Sequence, residues 1–305
     1  MNAPHPIRDQ LAAALIKTFF NAARIVPISV CLSLGRGLGT LMNQIDSRQR
    51  RVAKANLAFA FQNQITNAQI DELILRNFQQ WGMIGLEWAK HTYLEKVLHE
   101  PSPHLFEVVG RSHWEQAKDQ NKAVLLLSAH FGNWEFGHAF YATQFNRINW
   151  IVRKVDNPHI EKMRMAFNTQ YGVTILYKEG GLKPAIKNLR KGQDLVLFAD
   201  QNVNAREGAD CLFFGQRTST PTIVAALAQK YRLPVLPMFP VRKGNSPVHQ
   251  ITFLRPLPIS ENDTIETICQ RQNNIIEQMV RAHPEHWLWM HRKWKHYHRE
   301  IYEKV

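Results

Sequence analysis

AVLLLSAHFGNWEFGHAF, residues 123–140, delivers a histidine and, five positions later, a glutamate from the end of one aliphatic run. Residues 123–127 have the length and composition of a strand buried on both faces, and Gly132 interrupts the pattern before a Trp/Phe-rich helical stretch. On one regular helix His130 and Glu135 would lie roughly 140° apart, at about 100° per residue, and could not easily meet. A base and its orienting carboxylate therefore require His130 on the turn and Glu135 inside the following helix.

Working outward, apolar runs at 150–152, 173–176, 195–199 and 235–239 alternate with helical patterns at 158–171, 182–190 and 221–232. Such alternation predicts βαβ units, an α/β fold with a mostly parallel central sheet flanked by helices. Gly172 and Gly192 read as the residues that close two of the helices, and Thr220 with Pro221 as the cap and first residue of a third. Upstream, residues 48–98 read as helices, with aromatic and aliphatic residues at helical spacing over 67–92, and form a helical cap over the catalytic half.

The first forty residues have a different character. Residues 11–41 are rich in Ala, Leu, Ile and Phe, with Lys17 and Arg24 seven apart on one helical face. The longest charge-free run, 25–35, is 11 residues, short of the roughly 20 needed to span a bilayer, and Pro27 would bend the helix. The reading is a membrane-associated helix over 1–45, interfacial or shallowly inserted, followed by a single α/β domain over 46–305. The charges at Lys17 and Arg24 argue against a secretory signal peptide. The spacing Gly35-x-Gly37-x-Gly39 suits helix packing or a bend better than nucleotide binding.

At 305 residues and 45% hydrophobic content the chain can bury a large core. Cys31, Cys211 and Cys269 lie far apart without a C-x-x-C, which argues against a disulfide framework or zinc ribbon. No H-E-x-x-H or G-x-S-x-G occurs; Glu135-x-x-His138 lacks the second copy that a di-iron bundle requires, and no metal is expected. A net charge of +13 calls for an anionic partner: nucleic acid, acidic lipid headgroups or an acidic carrier protein. Residues 286–305 interleave Trp287, Trp289, Trp294, Tyr297 and Tyr302 with Arg292, Lys293, Lys295 and Arg299, a mixture suited to a membrane interface or phosphate-bearing substrate, or simply to an amphipathic terminal helix. No nucleic-acid motif is present.

H-x-x-x-x-E in the form His130-Phe131-Gly132-Asn133-Trp134-Glu135 after an aliphatic strand resembles the late lipid A acyltransferases of Gram-negative bacteria, the lauroyl/myristoyl transferases. The similarity continues through Arg50-Arg51-Val52 with Asn56-Leu57, Arg153 with Asn157-Pro158, Arg164, Ala199-Asp200-Gln201, Phe213-Phe214-Gly215 and Trp289-Met290-His291-Arg292-Lys293-Trp294-Lys295. It covers most of the chain from about position 35, and it departs at Lys154, where proline commonly follows the arginine. The resemblance implies a glycerolipid-acyltransferase-like fold and transfer of a fatty acyl chain from an acyl carrier protein thioester to a hydroxyl of an acylated lipid A precursor, at the cytoplasmic face of the bacterial inner membrane. No cofactor is required beyond the thioester donor.

In that reading His130 is the general base, Glu135 orients it, and Arg164, with amides near Gly132 and Asn133, stabilises the oxyanion. Asn133, Arg153, Asp200 and Gln201 are assigned to substrate binding. Phe131, Trp134 and Phe136 are candidates for lining an acyl groove. The expected partners are acyl carrier protein, lipid A precursor and inner-membrane lipids, with no nucleic acid; the oligomeric state and acyl length are open. Alternatives are a glycolipid or glycerophospholipid acceptor, or a noncatalytic membrane or nucleic-acid binder.

Overall fold

A computed structural model describes residues 10, 14, 18, 21, 23–119, 123–204, 206–303 and 305. Its centre is a seven-stranded sheet of β1 (Phe106–Val109), β2 (Leu125–Ser128), β3 (Ile148–Val152), β4 (Val173–Tyr177), β5 (Asp194–Phe198), β8 (Val235–Arg242) and β9 (His249–Phe253), in the order β1-β9-β8-β2-β5-β3-β4. Every neighbouring pair is parallel except β8 with β9. A separate antiparallel hairpin joins β6 (Gly208–Phe213) to β7 (Gln216–Pro221).

Why β2 reads as an unbroken apolar run is visible in its two faces. Leu125 and Leu127 enter one core with Leu57, Phe131, Val235 and Trp287, while Val124 and Leu126 enter the other with Phe136, Ile148 and Val196. A central strand with helices on both sides has no face for polar residues. The covering helices are α2 (Ser47–Phe61), α3 (Asn67–Glu87), α4 (His91–Leu98), α5 (Arg111–Asp119), α6 (Trp134–Gln144), α7 (Pro158–Gln170), α8 (Leu182–Arg190), α9 (Ile223–Tyr231) and α10 (Ile265–Ala282).

The predicted strands are all present, shifted or extended by one to three residues, and Gly172 and Gly192 close α7 and α8 at φ of 84° and 83°. The third boundary differs. Pro221 ends β7 and α9 begins two residues later, because Thr220 pairs with Ala209 in the hairpin and is unavailable as a cap. That hairpin turns through Phe214 and Gly215, both at positive φ, as a tight two-residue hairpin loop requires.

Preceding α2 is α1 (Ile28–Ile45), with Pro27 at its amino-terminal boundary; part of the predicted 11–41 helix, including Lys17, lies outside the described residues. Among the described residues no helix is long and apolar enough to cross a membrane. One face of α1 packs on α3 at close range: a Cβ at Gly39 would come within 2.2 Å of the Phe78 carbonyl, and one at Gly82 within 2.1 Å of the Gly35 carbonyl. Gly35 and Gly39 thus serve helix packing, whereas a Cβ at Gly37 would meet open space. The opposite face exposes Val30, Leu34, Leu38, Leu41 and Ile45, a stripe at helical spacing.

The carboxy-terminal aromatics correct the expectation of a membrane interface. Trp287, Trp289 and Trp294 are buried, at 1%, 0% and 0% exposure. Trp294 packs edge-on against Phe59, and Trp287 lies against Phe213. Nor does the segment form an amphipathic helix; it runs as turns and short 3-10 segments along the core, because its rings fill the space between α2, the hairpin and the end of β2.

Candidate active site

β2 and β5 are neighbours, with Ser128 opposite Phe198. Two residues further along each chain stand His130 and Asp200, at the carboxyl ends of the strands, where open α/β sheets place their sites. The register carries them together. His130 Nδ1 lies 3.0 Å from Asp200 Oδ1 and 3.3 Å from Oδ2, and the backbone amide of His130 donates to Oδ2 at 3.0 Å. Asp200 also accepts from Trp287 Nε1 at 3.0 Å. Burial alone would raise its pKa, but the charge and hydrogen bonds of His130, together with the charge of Lys293, bring it down to about 2. A carboxylate this firmly ionised selects the Nδ1–H tautomer and leaves Nε2 as the ring's acceptor nitrogen. Gln201 Nε2 stands 3.4 Å from that atom. The imidazole retains 23% side-chain exposure and is flanked edge-on by Trp134 and Phe198.

The carboxylate that holds the imidazole is therefore Asp200, and the predicted Glu135 contact is not formed. The turn at Gly132 does separate His130 from α6, but the helix carries Glu135 toward α7. There it accepts from Asn168 Nδ2 at 2.8 Å. Burial pushes its carboxyl up to about 7, against the Asn168 hydrogen bond and the nearby Arg164 charge.

Arg164 is buried on α7, where it donates to Glu161 at 2.8 Å and 3.0 Å and to the Arg153 carbonyl at 3.1 Å; its Nε has no hydrogen-bond partner among the described residues. It lies 6.0 Å over the Trp150 ring. Aromatic contacts run from His130 through Phe198 to Trp150 and so toward Arg164. The Arg153 side chain, by contrast, is exposed and pairs with Asp156. Asn133 is engaged by the protein itself: its oxygen accepts from the Phe136 amide and caps α6, and its amide donates to Glu87 Oε2 at 2.7 Å. Phe131 and Phe136 are core residues, packed on Phe239 and Phe167.

What fixes the turn is the carboxy-terminal strap. Phe131 forms a bridge with Trp287, the Leu288 amide donates to the His130 carbonyl at 3.0 Å, and the Gly132 amide donates to the His286 carbonyl at 2.9 Å. The Gly132 amide is thus occupied and does not serve as an oxyanion donor. The strap is held from behind by Asn56, whose Nδ2 donates to the Trp289 and His291 carbonyls, and by Asn77, which donates to those of Glu285 and Trp287. Gly132 has φ of 55°, and a Cβ there would lie 1.9 Å from the Pro240 carbonyl oxygen. Gly132→Ala is expected to lower thermal stability by several degrees and to reduce activity more than in proportion, read by melting curves beside initial rates, because either the turn or β8 must move.

Sequence comparison identifies the family of the chain. The family described as bacterial lipid A biosynthesis acyltransferase matches residues 8–296. The chain belongs to that family. Its relatives include a lipid A biosynthesis lauroyltransferase of Escherichia coli K12, 26% identical over 88% of this chain and 87% of its own length. A lipid A biosynthesis acyltransferase of Haemophilus influenzae is 23% identical over 87% of this chain and 81% of its own. A palmitoleoyltransferase of Escherichia coli K12 is 23% identical over 88% and 86%. For this acyltransferase family member, the residues that sequence reasoning missed are Asp200 as the histidine's partner, the Trp287 donor behind it, and the two asparagines that brace the strap.

Proposed function

We propose that the protein transfers a fatty acyl chain from an acyl carrier protein thioester to a hydroxyl of an acylated lipid A precursor, with His130 as general base. The observation that carries this reading is the His130–Asp200 pair at the ends of two central parallel strands, in a chain of the lipid A acyltransferase family. His130 Nε2 takes the hydroxyl proton as the oxygen attacks the thioester carbonyl; the tetrahedral intermediate then expels the carrier thiolate, which receives that proton from the imidazolium. Asp200 holds the ring and stabilises its charged form, as the carboxylate does in Ser-His-Asp systems. Arg164, with its free Nε, supplies positive charge for the developing oxyanion, and Glu135 fixes that end of the site through Asn168 and the Arg164 charge. Trp134, Phe198 and Trp150 offer an apolar wall for the acyl chain.

The exposed stripe of α1 lies on the cytoplasmic face of the inner membrane as an interfacial helix, and the basic surface attracts both anionic lipid and the acidic carrier. Mass spectrometry of lipid A precursor incubated with carrier protein charged with fatty acids of several lengths tests the reaction. A gain of one acyl chain is expected, and its preferred length identifies the donor; no gain with any donor in detergent or membrane lipid sinks the assignment.

A further inference from the structure

Lys293 is 0% exposed, and its ammonium has no hydrogen-bond partner among the described residues. A lone buried charge opposes folding strongly, and an apolar side chain of similar volume would fill the same space at no such cost. Its surroundings are those of the catalytic pair. It sits on the strap whose Trp287 donates to Asp200 and whose Leu288 amide donates to the His130 carbonyl. Its Nζ is 5.2 Å from the centre of the Phe213 ring, and the charges acting on it are Asp200 and Cys211. Besides His130, it is the cation whose field acts on Asp200. His291, whose ring also faces that carboxylate, accepts from the Asn202 amide and has its pKa lowered to about 4 by burial, which outweighs the pull of Asp200 and is joined by the charges of His130, Lys293 and Lys295.

Building on the reading of His130 as base, we propose that Lys293 is a positioning residue for acyl transfer: its buried ammonium partly balances the charge of Asp200, the carboxylate that orients the His130 imidazole. A purely structural lysine would tie elements together through hydrogen bonds, and the ammonium of Lys293 makes none among the described residues. Burial lowers its pKa to about 8, with Asp200 and Cys211 opposing that fall. Its folded value lies below the ordinary lysine value of about 10.4, so the destabilisation it causes is fully present below about pH 8 and fades as pH rises toward the unfolded value.

The test is Lys293→Met, with Lys293→Gln as a second variant should the first fail to fold, each compared with wild type and His130→Ala for kcat/KM from pH 5.5 to 9 and for Tm. The expected result is an acid limb moved to higher pH by about one unit, hence roughly tenfold less activity on that limb, with near wild-type rates on the plateau and a Tm equal to or above wild type. In an Asp200→Asn background the same substitution should leave the profile where it was. An unchanged profile in the single variant overturns the inference, as does a uniform loss at every pH with a lowered Tm. Acyl transfer by wild type that His130→Ala abolishes keeps the parent reading intact in either case. Absence of transfer by wild type overturns the parent reading and this inference with it.

Discussion

Replacing His130 with alanine is expected to lower acyl transfer by about 10²- to 10⁴-fold while leaving the melting temperature within a few degrees of wild type. The first half follows from the geometry of the imidazole, whose Nδ1 is committed to Asp200 and whose Nε2, met only by the long 3.4 Å contact from the Gln201 amide among the described residues, is the ring's proton acceptor. The second half follows from its partial exposure and from the donors left to Asp200, the residue-130 amide and Trp287 Nε1, which survive the substitution. Asp200→Asn should approach the same loss, since an amide can donate to Nδ1 and so favour the wrong tautomer. Glu135→Gln should lose less, because Glu135 reaches Asn168 and not the imidazole. Rates for the three variants, measured beside their melting curves, separate the two carboxylates. Wild-type transfer in His130→Ala would remove His130 from the mechanism, and a greater loss in Glu135→Gln than in Asp200→Asn would return the orienting role to Glu135.

The difference between those carboxylates marks how far the sequence could be read. His130 is legible because a titratable ring at the end of a buried aliphatic strand has few structural uses, and Gly132 signals the turn that presents it. The carboxylate nearest to it in the chain is Glu135, and spacing alone favours that one as its partner. The actual neighbour is 70 residues away and is brought in by strand order, β5 lying beside β2. Sequence places Asp200 at the end of a strand and thus near a functional edge, but which strand is adjacent follows from topology. The burial of Lys293 is equally illegible, because a lysine amid tryptophans and arginines reads as a solvated cation until the strap is seen to pass under the hairpin.

For the fold, the legible elements are those with strong periodicity or firm punctuation: the apolar strands, and α7 and α8 with their closing glycines. β1 and β9 escaped notice because Phe106–Val109 is short and charged residues interrupt both neighbourhoods. The hairpin was hidden in Phe213-Phe214-Gly215, a stretch whose turn requires positive φ at a phenylalanine. The mixture of tryptophans and cations in the carboxy-terminal segment suits a membrane interface, a phosphate-bearing substrate or an amphipathic helix equally; it is also the composition of a core strap whose cations lie over aromatic rings, Arg292 over Tyr302 and Lys293 over Phe213.

Arg242→Met is expected to cost about 3–5 kcal/mol, a fall in Tm of roughly 5–8 °C for a chain of 305 residues. Arg242 on β8 donates to both oxygens of Glu87, at 2.6 Å and 2.5 Å, and to Gln80 Oε1 at 3.1 Å, all within the interior. Glu87 at the end of α3 also bonds His249 of β9 at 3.0 Å and receives the Asn133 amide that stands just after the catalytic turn. Removing the guanidinium leaves a carboxylate buried without its main counter-charge, and that residual group accounts for most of the loss. The double variant Glu87→Met/Arg242→Met should accordingly recover a large part of it. Burial would raise the Glu87 pKa, yet Arg242 and His249 outweigh it and hold the carboxyl well below the ordinary range. A depressed folded value means stability that is fully present above the unfolded carboxylate value of about 4.3 and lost as pH falls toward the folded one. The gap between wild type and Arg242→Met should therefore be widest near neutrality and narrow below about pH 4, as melting curves across pH would reveal. A gap independent of pH would mean that Arg242 stabilises by packing alone. Because Asn133 caps α6 from this network, activity in the variant should fall at temperatures below its melting point, as the His130 turn loosens before the sheet does.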